Sequence, residues 1–281
     1  MTNAYAGLTT LRSAGVLNIT GTGFDGRLLA LLEEVSRLID GYCNRHFFVL
    51  TTTRRFDGGN SRALHVPDLI SITSLKTDED FDRAYELSWS ASDYLLYPLN
   101  AEPQQPWGRP YTRIMVDIEG GSRQLFPAGG PTVEVAGKWG YREVTEDSGA
   151  DINEGGSFGG SDTTLTETDG GKFSVGDTLA IESESLYVTA ISTNDLTVAR
   201  AVNGTASAAH ADSTDVYLYR YPGSVVEACL LQTARLWKRK DLAYAPADDR
   251  RAGGSGLAAG LDAEAQRLLA PYRRLSLGPG V

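Results

Sequence analysis

Cys43 and His46 stand three residues apart within residues 32–48, LEEVSRLIDGYCNRHFF. On a helix, residues three apart are neighbours, and a thiol beside an imidazole pairs a nucleophile with its base. The surroundings argue against that chemistry. Cys43 falls on the apolar side of the stretch with Ile39 and Tyr42, and His46 lies past Asn44, where the helix is expected to end. A reactive thiol needs an electropositive, partly open setting, whereas a buried free cysteine behaves as a small hydrophobe. Core packing is the expectation for both Cys43 and Cys229, and the two are expected to meet where their helices bury their stripes. Two cysteines are too few for a disulfide framework.

Other candidates for chemistry are weaker. His46, His65 and His210 are scattered and offer no zinc-ligand spacing. The run Asp78-Glu79-Asp80-Phe81-Asp82 resembles part of a calcium loop but lacks its glycine and closing glutamate, and reads as a solvated turn. GGSGLAAG, residues 253–260, has the glycines of a phosphate loop without a preceding strand or a Gly-Lys-Ser/Thr ending, and reads as a linker. No Gly-x-Ser-x-Gly elbow occurs. The expectation is a protein with no catalytic residue, no metal and no cofactor. Tyr187, Tyr217 and Tyr219, on strand-like runs, keep open an alternative as a carbohydrate- or host-binding module, although strand tyrosines more often pack.

The elements that position these residues follow from periodicity. Phe24, Leu28, Leu31, Val35, Leu38 and Tyr42 recur at helical spacing, with Thr22 and Asp25 as a variant capping box. From Phe47 the pattern turns to short β-rich runs broken by Gly, Pro and Asp: FFVLTTTRRFDGG, RALHVP, ISITSLK, DYLLYPL, TRIMVDI and TVEVAGKWG. Residues 146–162, EDSGADINEGGSFGGSD, read as a loop. Four more strand-like runs follow, DTLAIES, SLYVTAIS, DLTVARAV and DVYLYRY. Helical period returns at Ser224, with Glu227 completing a capping box and Val226, Leu230, Thr233 and Trp237 on one face. A loop over 246–260 and a short helix from Asp262 to about Ala270 precede an open tail, YRRLSLGPGV.

The expected organisation is α+β: a core domain of residues 1–150 and 221–281, with helices and a small antiparallel β region, and an inserted all-β domain of residues 151–220. Charge is divided unevenly along the 281 residues. Residues 142–220 hold 4 Lys/Arg against 14 Asp/Glu, while residues 222–281 hold 9 against 6. An acidic block repels phosphate, so tight DNA binding through it is not expected. No apolar run reaches membrane-spanning length and the N-terminus lacks a signal-peptide pattern, so the chain is expected to be soluble and made in a cytoplasm.

The order of four stretches resembles the head-to-tail adaptor (connector) proteins of long-tailed bacteriophages. They are SRLIDGYCNRHF followed by TTTRRFDG, then LHVPDLISITSLKTD, then VEVAGKWGY, and finally VVEACLLQTARLWKRKD. The segment VARAVNGTASAAHADSTDVYLY also resembles a recurrent segment of tailed-phage virion proteins, although simple adaptors lack such an insert. The resemblance implies a non-enzymatic virion protein of the neck. It implies a homo-oligomeric ring of about twelve copies, bound to the portal on one side and to a stopper (head-completion) or tail-terminator protein on the other. Double-stranded DNA then passes through the channel without specific binding. Adaptors of this kind often grip the portal with their C-terminal segment, which here places Tyr272, Arg273, Arg274, Leu275 and Leu277 in that role.

Overall fold

The computed structural model describes residues 3–239 and 260–274. Leu275 and Leu277, Lys240 and all of the 246–260 loop except Gly260 lie outside the described residues. The chain forms two compact units. One comprises residues 46–144 with 203–205, and the other residues 1–45, 145–202 and 206–281.

The first unit is an antiparallel sheet. Its strands are β1 (Leu50–Phe56), β2 (Ala63–Thr77), β3 (Leu87–Ser88), β4 (Tyr94–Tyr97), β5 (Tyr111–Val116) and β6 (Val133–Trp139). They lie in the order β1-β6-β2-β5-β4, with β3 also paired to β2. β6 shows how sequence sets this sheet: Val133, Val135, Gly137 and Trp139 alternate inward with half-buried neighbours. Gly137 has to be glycine, because a Cβ there would sit 2.1 Å from the Ser71 carbonyl oxygen. Trp139 is fully buried and donates its indole N–H to the Thr52 carbonyl at 2.9 Å. RALHVP and ISITSLK, expected as separate strands, are one long β2. Its register shifts between His65 and Leu69, where Pro67 supplies no N–H for the ladder and the strand absorbs it as an irregularity. Leu64, Leu69, Ile114, Phe126 and Val135 complete the core.

Among the described residues, the second unit combines four helices with the other strands. The helices are α1 (Leu8–Arg12), α2 (Asp25–Cys43), α3 (Gly223–Lys238) and α4 (Ala263–Leu269). The strands are β7 (Thr145–Asp151), β8 (Ser157–Phe158), β9 (Thr164–Thr166), β10 (Thr178–Ile181), β11 (Glu184–Ser192), β12 (Asp195–Ala199), β13 (His210–Ala211) and β14 (Asp215–Tyr219). The sheet runs β7-β14-β10-β11-β12-β9, and β13 pairs separately with β8. Its pairings are all antiparallel. Mixed helices and antiparallel sheets make the chain α+β with strand predominating.

The division falls elsewhere than the expected boundaries at 151 and 220. In this partition the β module belongs with the helices, and residues 46–144 stand as the separate unit. The N-terminal segment supplies the reason. Leu8 N–H donates to the Val175 carbonyl, Thr9 N–H to Ser174 Oγ at 2.9 Å, and Thr178 Oγ1 to Asn3 Oδ1 at 3.0 Å. The same segment reaches α2, where Tyr5 N–H donates to Ser36 Oγ at 3.0 Å. The module also starts earlier than expected. EDSGAD, read as loop, is most of β7, paired with β14 at Glu146, Asp147 and Asp151 across a register shift between Asp215 and Tyr217.

Helix details differ as well. α2 starts after Phe24 and α3 after Pro222, neither with a side-chain cap, so the expected boxes at Thr22/Asp25 and Ser224/Glu227 do not form. Asp25 instead pairs with Arg12 at 2.9 Å. The buried stripe of α2 is Leu28, Leu31, Leu32, Val35, Ile39 and Cys43, rotated from the expected one so that Phe24 and Leu38 are exposed. Asn44 ends α2 in the left-handed conformation as its sequence position implied, and Asp262 caps α4 through Glu264 N–H.

Candidate functional site

Cys43 and Cys229 are free and buried. Cys229 Sγ lies 3.5 Å from Ser36 Oγ. Cys43 is seven residues further along α2 than Ser36, about 10 Å at 1.5 Å per residue, so the two thiols do not meet. Burial pushes each thiol up to about 11. His46 is engaged elsewhere, with Nδ1 2.8 Å from the Phe48 carbonyl. Neither cysteine has the depressed pKa of a nucleophile. Alkylation of the native protein at pH 8 is therefore expected to run at least about 100-fold slower than after denaturation. Mass spectrometry of iodoacetamide-treated samples reads this directly, and rapid stoichiometric modification of native Cys43 would restore the enzyme alternative.

The C-terminal residues assigned to portal binding are placed only in part. Tyr272 closes a 3-10 turn, Ala270–Tyr272. Arg274 N–H donates to the Cys43 carbonyl at 2.8 Å, and the Arg273 guanidinium lies over the Tyr42 ring at 5.0 Å. Residues 272–274, expected to be open tail, thus tie down on the last turn of α2.

The acidic run 78–82 is a turn. The buried Asp78 carboxylate accepts from Phe81 N–H at 2.7 Å and Arg83 N–H at 3.0 Å. Asp78, Asp80 and Glu86 bring carboxylate oxygens within 4.8 Å of one another. With both Asp78 oxygens engaged by backbone, the two exposed carboxylates fall short of the six to eight ligands calcium takes.

Among the module tyrosines, Tyr187 is turned inward: it is 1% exposed and donates to Glu33 Oε1 at 2.7 Å. By register Tyr217 and Tyr219 lie on the same sheet face as Tyr187 and are half-buried, with Tyr219 Oη 3.2 Å from Ser185 Oγ. With Tyr187 buried, the three do not form one exposed aromatic platform.

Two buried features of the module escape sequence reasoning. The first is an ion network on Glu184. Arg200 grips it with two bonds, Nε at 2.8 Å and Nη2 at 2.7 Å, and lies 4.1 Å over the Phe158 ring. Its Nη1 also donates to the carbonyls of Gly159 and Asp162. His210 places Nε2 3.0 Å from Glu184 Oε2 and Nδ1 2.7 Å from Glu182 Oε2. Burial acts to raise the Glu184 carboxyl. The bonds from Arg200, His210, Ala208 N–H and Ala201 N–H outweigh it and hold the group at about 2. The second feature is Glu167, fully buried with neither carboxylate oxygen hydrogen-bonded. Burial, then the nearby charges of Asp151 and Glu154, push it up to about 8. The partners of Glu184 lie 16 and 26 residues away in sequence, a separation that no local period reveals.

No protein-family model matches the sequence, and no curated protein matches it. Among solved structures the chain is similar to one described as the neck of an empty GTA particle computed with C6 symmetry. The TM-score is 0.41 and the identity 13%, covering 97% of this chain and 91% of that one. A likeness that loose does not define the fold.

Proposed function

We propose that this chain is a structural protein of a tailed-phage neck, a head-to-tail adaptor that forms a ring between the portal and the next neck or tail protein and extends the DNA channel. The observation that carries the reading is how the stretches resembling adaptors fall together. TTTRRFDG, LHVPDLISITSLKTD and VEVAGKWGY contain β1, β2 and β6, which are hydrogen-bonded neighbours with β6 in the middle. SRLIDGYCNRHF and VVEACLLQTARLWKRKD, nearly 190 residues apart, pair through α2 and α3, where Cys229 meets Leu32 and Ser36. The buried, protonated thiols favour packing over catalysis. An acidic surface repeated around a channel gives passing phosphates nothing to hold.

Electron microscopy of the chain incubated with the portal tests this reading. A ring of about twelve copies coaxial with the portal is expected, since head-to-tail contacts closing on an axis make rings. A two-fold dimer as the sole species, with or without portal, would count against it. In this reading the C-terminal residues grip the portal, with Leu275 and Leu277 in apolar pockets and arginine on acidic groups. Because residues 272–274 are held by α2, the discriminating deletion is 275–281. It is expected to weaken portal capture about 10-fold or more while leaving the circular dichroism spectrum unchanged.

A further inference from the structure

The helical unit contains an open-sided cavity of about 330 Å³ whose walls include Phe173, Tyr219 and Tyr221, with Lys172, Arg220 and Asp177 at its margin. It is at the small end of ligand-site volumes, about 300–1,000 Å³, and suits one aromatic side chain with its neighbours. Its charge sets it apart from the surface around it. Residues 145–220 carry three cations against 13 carboxylates. Arg200 is buried in the ion network, so Lys172 and Arg220 are the two exposed cations of the module, and both border this cavity. Arg220 also pairs with the exposed Glu146 at 2.7 Å, and Asp177 accepts from Ser174 N–H at 2.8 Å.

The other unit presents a projection of matching chemistry. Phe81 is 54% exposed, although phenylalanine at an unconstrained surface gains nothing from being there. It sits at φ 69°, a left-handed conformation that bulky residues rarely adopt. The buried Asp78 carboxylate holds it there through the bonds to Phe81 and Arg83, and Asp82 Oδ1 accepts Ala84 N–H at 2.7 Å. The ring edge rests against Gly129. Glu79, Asp80 and Asp82 surround it and are exposed, as is Arg83. Backbone strain maintained to display an aromatic ring among carboxylates points outward to a partner.

We propose that the 79–82 loop of one copy inserts Phe81 into the Phe173/Tyr219/Tyr221 cavity of the next copy, with Glu79 and Asp80 against Lys172 and Arg220. The contact joins two different surfaces, so it is heterologous and propagates around an axis. The proposal rests on the ring reading and supplies its subunit contact. Opposite charges at the rim steer association, and the aromatic in its pocket is the anchor.

A photo-crosslinking phenylalanine analogue at position 81 tests the contact. The full-length chain carrying it is mixed with isotope-labelled unmodified chain, assembled on the portal and irradiated. Inter-copy links from position 81 to peptides containing residues 172–177 or 219–221 are expected. Links confined to other peptides or to the portal, or no links from an assembled ring, overturn the proposal. In parallel, Lys172→Glu with Arg220→Glu is expected to weaken ring assembly about 10-fold or more. Adding Glu79→Lys with Asp80→Lys should restore it. Circular dichroism confirms that each variant is folded. Normal rings from the Lys172→Glu/Arg220→Glu variant overturn the socket and leave the adaptor reading standing. A wild-type chain that never assembles, with or without portal, overturns both.

Discussion

Arg200→Ala is expected to destabilise the β module by about 3–5 kcal/mol, because it strands the fully buried Glu184 carboxylate without its charge partner. The variant also loses the guanidinium over Phe158 and the bonds that fasten the carbonyls of Gly159, Asp162 and Ala208. A shift of the urea midpoint, with unchanged m-value, reads the loss. Replacing both partners, Arg200→Met with Glu184→Leu, is expected to cost much less than the single change, since no unpaired charge remains buried. A single substitution costing under about 1 kcal/mol would place Glu184 in contact with water. The same network sets an acid limit. Glu184 is depressed to about 2 in the fold, so its contribution is complete above the ordinary glutamate value and is lost as pH falls toward 2.

Glu167 works in the opposite direction. Its carboxyl is raised to about 8 in the folded chain, so the fold binds a proton that the unfolded chain releases from about pH 4.5 upward. Stability therefore falls as pH rises from there toward 8. The penalty at pH 8 is on the order of 3–5 kcal/mol. Glu167→Met, which keeps the length of the side chain and removes both unpartnered oxygens, is expected to stabilise the module by a comparable amount at pH 8 and by much less at pH 5. Urea unfolding of the two proteins at both pH values checks this. A wild-type midpoint that does not change over the range, or a variant less stable at pH 8, would mean that Glu167 has a partner holding it ionised.

Sequence revealed the elements whose signal is local. The run Val133–Trp139 alternates strongly and the run Thr51–Phe56 opens on β-branched threonines, and both became the expected strands. The existence of α2 and α3 followed from their apolar repeat. Which face of α2 is buried did not, because Leu31 and Leu32, or Leu38 and Ile39, satisfy a helical period almost equally and tertiary contacts choose between them. β7 was hidden by its composition. Glu146, Asp147, Ser148 and Gly149 have the character of a loop, and an edge strand facing water needs no apolar alternation to pair with β14. The attachment of the N-terminal segment to the module depends on Asn3, Thr9 and Ser174, polar residues whose meaning exists only once the chain has brought them together. Of the candidate site, the inertness of the cysteines was legible from their apolar neighbours. The cavity was not, because its walls come from three separate parts of the chain, within residues 4–10, 171–178 and 219–226.

That discontinuity has a consequence during synthesis. Residues 46–144 are one stretch except for 203–205, whereas the helical unit draws on residues at both ends of the chain. A ribosome adding about 5–20 residues per second delivers α3 and α4 on the order of 10 s after β6 is complete. Through that interval α2 lacks α3, the helix it packs against, and has α1 and the N-terminal segment beside it. The sheet of residues 50–139 is thus the first part able to fold, and the nascent α2 is the segment of this protein most in need of a chaperone before assembly.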